Sequence, residues 1–126
     1  MSDVDNLIPE MVKEIHSRPE KAVIVVTGAG ISALGWLFDQ GGASRTILEG
    51  RVPYSISSLN EFVGIDVETH VSREEAIRMA DSAYERALYL RADDDDSPVI
   101  GVSCTATIAT DYAKRGTHRA CCALRT

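Results

Sequence analysis

The chain has 126 residues, 44% hydrophobic and 25% charged, with a formal net charge of −6; this is one domain with a single modest core, and its acidity excludes general nucleic-acid binding, which needs basic surface to displace counterions. No apolar run is long enough to span a bilayer, and Met1-Ser2-Asp3-Val4-Asp5 is acidic where a signal peptide would be basic. Three cysteines, two of them adjacent, and three scattered histidines make neither a disulfide framework nor a metal site, so a cytosolic chain without metal or cofactor, membrane or nucleic-acid partner is expected.

Val4, Leu7, Ile8, Met11, Val12 and Ile15 recur at the spacing of one helix face. Pro9 places the start of that helix near itself, where proline is tolerated, and Pro19 closes the segment. Residues 22–26 are a β-branched run, a buried strand broken by Gly28 and Gly30. A helix follows over 31–38, stopped by Gly41-Gly42, then a strand over 46–52 ending at Pro53, and a short helix over 57–63 ending at Gly64. Ser72-Arg-Glu-Glu75 is a capping box, in which the Ser72 hydroxyl and the Glu75 carboxylate answer free amides reciprocally. The helix it opens has an apolar face of Ala76, Met79, Ala80, Ala83, Tyr84, Ala87 and Leu88. The Asp93–Asp96 run reads as a solvated loop, because four adjacent carboxylates repel. Strands over 99–104 and 119–124 complete the alternation of an α/β sandwich.

Thr27-Gly-Ala-Gly-Ile-Ser32, between a strand and a helix, presents backbone amides at a helix N-terminus, where a phosphate or carboxylate can bind. An ordinary tight βα turn is the alternative reading. Gly28, Gly30 and Ala33 half-match the dinucleotide fingerprint, with Glu49 near the spacing of its acidic residue. The run 25–32 is also similar to the start of the sirtuin NAD-binding segment, but that family's zinc-binding Cys-x-x-Cys and His-Gly pairs do not follow. Later in the chain Asp111, Lys114, Arg115, His118 and Arg119 gather in one segment, where Arg115 or Arg119 could bind a phosphate bidentately and a solvated loop is the plainer alternative. His16 and His70 read as surface residues, Trp36 as core packing, and one of Cys121 and Cys122 as core, since they alternate across a strand.

Gly42-Ala43-Ser44, followed ten positions after Ser44 by Tyr54-Ser55, gives the most specific likeness. It resembles the C-terminal domain of the CinA (competence/damage-inducible protein) family, the nicotinamide-nucleotide amidohydrolases. That family's pattern runs from a strand into Glu-Ser-Cys-Thr-Gly-Gly, a helix, Gly-Ala-Ser, a strand, and Tyr-Ser-Asn-x-x-Lys. Val71-Ser72 through Met79-Ala80, Gly101-Val102-Ser103 and Lys114-Arg115-Gly116-Thr117 are similar to its later segments. The likeness covers the chain from about Ala22 onward.

The resemblance implies a layered α/β sandwich, with a mixed central sheet flanked by helices, as one domain over 1–126. It also implies a domain shortened at its C-terminus, because the family continues into a final helix. Thr27 falls where the family has its nucleophilic serine, Val26 where it has glutamate, and Leu59 where it has lysine. Thr27 and Tyr54 are therefore the candidate catalytic residues. Gly28, Ala29, Gly30, Ser32, Ser44, Ser55, Ser103 and Arg115 are the candidate substrate-binding residues. Tyrosine, with a pKa near 10, is a poor base at neutral pH, and losing a general base slows such reactions about 10²–10⁴-fold. The expectation is a domain that binds a nicotinamide-type nucleotide and hydrolyses its amide weakly or not at all. The alternative is a non-catalytic assembly or regulatory module, since the last apolar strand invites a homo-oligomer or a further C-terminal segment.

Overall fold

A computed structural model describes residues 3–66, 71–107 and 119–126, with side chains from Leu7 onward in the first helix. The elements run α1 (Asp3–Ile15), β1 (Lys21–Gly28), α2 (Ile31–Asp39), α3 (Ala43–Thr46), β2 (Ile47–Arg51), α4 (Ile56–Val63), α5 (Arg73–Leu90), β3 (Val99–Thr107) and β4 (Arg119–Arg125). The strands form one sheet in the order β2-β1-β3-β4. β1 is parallel to both neighbours and β4 is antiparallel to β3, so the sheet is mixed.

Burial explains the order. β1 is covered from both sides, with Val23, Val25 and Val26 almost fully buried, as its unbroken β-branched run requires. Val23, Val25 and Val99 face α4 and α5, where Leu59, Met79, Ala83 and Ala87 complete the core. The alanines of α5 let its backbone approach the sheet closely, and Gly101 completes that contact. A Cβ on Gly101 would stand 2.2 Å from the Ala80 carbonyl oxygen and 2.4 Å from the Tyr84 nitrogen. Ser72 caps α5 by accepting from the Glu75 amide at 3.0 Å.

The opposite face is less covered. Ile24, Ile100, Val102 and Leu124 line an apolar groove of about 420 Å³, walled by Ile15 and Leu37. Leu124 is 62% exposed.

Several expectations are corrected. Helix α1 runs through Pro9 instead of starting there. Of its apolar face, Val12 is buried while Leu7, Met11 and Ile15 are exposed. Trp36 is 46% exposed, because α2 buries only Leu34 and turns Trp36 toward the cleft beside α1. His16 is 1% exposed. Its Nε2 donates to the Leu37 carbonyl at 2.7 Å, and its Nδ1 meets the Thr46 hydroxyl at 2.5 Å, tying the end of α1 to α2 and α3. Residues 43–46 are helical, so β2 starts at Ile47. Neither Cys121 nor Cys122 is fully buried. Asp95 is not merely solvated: it pairs with Lys21 and accepts from the Ser97 amide at 2.9 Å. Glu75, expected only as a cap, is fully buried, with Oε2 accepting from Arg78 at 3.3 Å. His70, Asp111, Lys114, Arg115 and His118 lie outside the described residues.

Candidate functional site

Ligands of open α/β sheets bind beyond the carboxyl ends of the strands. A pocket of about 300 Å³ opens there between β1, β3 and α4, lined by Thr27, Gly28, Tyr54, Ser55, Leu59, Thr105 and Thr107 among others. Thr27 and Thr105 are register partners in the parallel ladder. Their side chains therefore meet, and the Thr27 hydroxyl donates to Thr105 Oγ1 at 2.9 Å. Both are nearly buried, at 8% and 1% exposure. Gly28 follows at φ 73°, where a Cβ would lie 1.9 Å from the Ala106 carbonyl oxygen. Only glycine lets β1 end so close to β3.

The β2–α4 connection brings the remaining groups. Pro53 is buried and lines the pocket, while Tyr54 is 83% exposed at its mouth. Ser55 is the N-cap of α4: its Oγ accepts from the Ser58 amide at 3.1 Å and lies 3.2 Å from the Ser57 hydroxyl. Leu59 is 3% exposed and makes the apolar floor. Among the described lining residues there is no carboxylate, imidazole or amine. The arrangement offers hydroxyls to a ligand amide and an apolar surface to a ring. Among the described lining residues none is a side chain that takes a proton from Thr27 at neutral pH.

The other expected site residues among those described lie apart from this pocket. The Ala29 amide donates to the Ala106 carbonyl at 3.1 Å, and the Ala33 amide to the Gly30 carbonyl at 3.0 Å, so one amide of the glycine turn and one in the first turn of α2 have backbone partners. A Cβ on Gly30 would face the Val26 and Cys104 side chains, which project from the sheet face opposite Thr27. Ser32 is exposed on the first turn of α2 and does not line the pocket. Ser44 sits on α3, just before Ile47, which pairs with Ala22. Ala22 is five residues before Thr27, so Ser44 lies at the other end of the sheet, roughly 17 Å away along the strand. Ser103 is 1% exposed and donates to the Ala76 carbonyl at 2.6 Å, fastening α5 to β3. Thr105 and Thr107 are the additions. Their signal is the alternation that continues from Ser103, which acquires meaning only once β1 and β3 are in register.

Among the described residues no group of three or more His, Cys, Asp or Glu gathers to hold a metal. Cys104 faces Cys122 across the β3–β4 ladder, and burial is the main cause that raises its thiol pKa to about 11. A thiol so raised stays protonated at neutral pH and is no nucleophile.

No family model matches the sequence, and no curated protein matches it. Solved structures do. The competence/damage inducible protein CihA from Agrobacterium tumefaciens superposes with a TM-score of 0.59 at 21% identity, covering 91% of this chain and 67% of that one. A competence-damaged protein (CinA) superfamily protein from Escherichia coli superposes with a TM-score of 0.62 at 16% identity, covering 99% and 79%. The fold is CinA-like. At these identities the likeness carries the architecture: a mixed four-stranded sheet between helical layers. Within the CinA-like frame, Leu59 occupies the pocket floor as an ordinary core residue.

Proposed function

We propose that this CinA-like domain binds a nicotinamide-type nucleotide in the Thr27–Tyr54–Thr105 pocket and hydrolyses its amide weakly or not at all. The observation that carries the reading is the buried Thr27–Thr105 hydroxyl pair above an apolar floor. A carboxamide finds donors and acceptors there, and the pyridine ring finds Leu59 and the Tyr54 ring. Without a base on the described lining residues, Thr27 orients the amide more than it attacks it. Three free cysteines are consistent with a reducing cytosol.

A thermal-shift titration with nicotinamide mononucleotide, with product analysis of the same samples, tests this. Stabilisation without nicotinic acid mononucleotide is the expected result. Stabilisation with rapid product would show a base that this reading lacks, and no shift at millimolar ligand would refute it.

The exposed apolar sheet face favours a second reading, a non-catalytic assembly module in which a second copy covers Val102 and Leu124. The Arg18–Glu20 pair lines the same groove and keeps it neutral, so two copies can face each other without like-charge repulsion. Light scattering tests it, and a clean monomer at high concentration would remove it.

A further inference from the structure

The glycine turn leaves a question of charge. Beyond Gly28 it does not line the Thr27 pocket, and the described lining of that pocket holds no cation. A polar recess of about 330 Å³ adjoins the pocket, and buried Pro53 lines both. Its charged walls are Glu49, Arg51 and Arg86. Arg86 grips the Glu49 carboxylate with both ends of its fork, Nε and Nη2 each donating at 3.2 Å. Arg51 Nε stands 3.7 Å from the same carboxylate. Among the described residues no other acid pairs with either guanidinium, so two cations share one anion and the recess keeps a positive charge on an acidic protein.

The cations are also held in place. Arg51 lies 5.0 Å from the Phe62 ring centroid and Arg86 lies 5.4 Å from that of Tyr89. Both side chains remain more than one-third accessible, at 40% and 35%. Their direction matches the pocket. Glu49 and Arg51 pair with Val23 and Val25, whose side chains belong to the same core face as Thr27. Arg51 is across from Val25, two residues before Thr27, which sets the two positions roughly 8 Å apart at ordinary strand spacings.

We infer that the Arg51–Arg86 recess is the phosphate subsite of this pocket, taking the phosphate monoester of a ligand whose ring lies against Thr27 and Leu59. The inference rests on the proposed nucleotide reading for the ring end, but the anion site stands on its own geometry. Arg51 offers its terminal nitrogens, Arg86 its Nη1, and Ser58, which lines the recess, its hydroxyl. Planar guanidiniums suit phosphate oxygens because two N–H groups meet two oxygens at once. Glu49 orients the two arginines and weakens their hold on an anion.

The test compares nicotinamide mononucleotide, nicotinamide riboside and ribose 5-phosphate by calorimetry, while NMR follows the Arg51 and Arg86 Nε–H signals. The wild type is expected to prefer the mononucleotide over the riboside by about tenfold or more. Arg51→Gln should abolish that preference, Glu49→Gln should strengthen it, and Arg45→Gln, at the far end of the sheet, should leave it intact. If Arg51→Gln keeps the preference, or if Arg119→Gln alone removes it, the phosphate lies elsewhere and the inference falls while nucleotide binding stands. Should the mononucleotide not bind while ribose 5-phosphate saturates the two arginine signals, the anion site stands and the nicotinamide reading falls. If neither ligand moves those signals, both fall.

Discussion

Replacing Thr27 by valine removes a hydroxyl and leaves the shape of the side chain. In the folded protein that hydroxyl donates to Thr105 Oγ1 at 2.9 Å, and Thr105 is 1% exposed. A neutral hydrogen bond contributes about 0.5–1.5 kcal/mol net, and the desolvation penalty of about 1–3 kcal/mol for a wholly unsatisfied buried group applies only in part, because Thr105 has a further interaction. Thr27 is 8% exposed at a pocket wall, so water can answer part of that loss. Thr27→Val is therefore expected to destabilise the domain by about 1–2 kcal/mol, or roughly 3–5 °C in Tm per kcal/mol at this size. Thr105→Val should cost at least as much, since Thr105 is more deeply buried and has a further interaction. The double variant should cost less than the sum by about 1 kcal/mol, because the bond is lost once. Urea unfolding of the four proteins measures the cycle, and calorimetry with nicotinamide mononucleotide on the same proteins measures the ligand. An additive cycle would show that the two hydroxyls do not interact. Undiminished binding by Thr27→Val would show that the amide does not meet this pair.

Three further outcomes follow from the packing. Gly101→Ala forces α5 off β3, since its Cβ would meet backbone atoms that no rotamer can move, and chemical denaturation should register a loss of about 3 kcal/mol or more. Asp95 is held well below its ordinary 3.8, chiefly by its hydrogen bond with Lys21. Its folded pKa is lowered, so its contribution is fully present above the unfolded value and is lost as pH falls below it toward the folded one; Lys21→Met should flatten the stability–pH curve below about pH 4 and leave its slope near neutrality unchanged. Cys122 is exposed, whereas burial raises the Cys104 thiol to about 11. Alkylation at pH 8 followed by peptide mass mapping should find Cys122 labelled well before Cys104, and equal rates would contradict the packing of β3 against β4.

The fold is legible where one local signal decides. The β-branched run of β1, the Ser72 cap and the alanine face of α5 need no tertiary context, and each produces its element. Boundaries drift where two signals compete. Gly42-Ala43-Ser44 reads as a turn into a strand, yet residues 43–46 wind one helical turn so that Thr46 can reach His16. His16 itself is misread because nothing local marks a histidine whose ring bonds a carbonyl and a hydroxyl twenty-one and thirty residues away. The site is legible in part. Thr27, Gly28, Tyr54 and Ser55 line one pocket, whereas Ser44 and Ser103 share only their residue type with it. Separating them requires knowing which strand end each occupies and which face each points to, and the register supplies both.

Position 59 serves both the core and the pocket. Leu59 belongs to the buried core beside Val25 and Met79, and it also forms the pocket floor below Thr27. Burying such a side chain contributes about 1.5–3 kcal/mol. A lysine there would have to hold its ammonium toward the pocket or lose its charge to desolvation. With leucine, the core gains apolar packing and position 59 offers no base to the hydroxyls above it. In the proposed reading the same residue strengthens the floor and supplies no base, so binding without hydrolysis is the outcome expected of this pocket. Leu59→Lys separates the two effects. It is expected to lower stability by several kcal/mol while leaving the Thr27–Thr105 pair in place. Measurable amide hydrolysis in that variant, with none in the wild type, would show that the missing base is what holds the pocket inactive. If the folded variant binds the mononucleotide and still fails to cleave it, the defect lies in Thr27 as well.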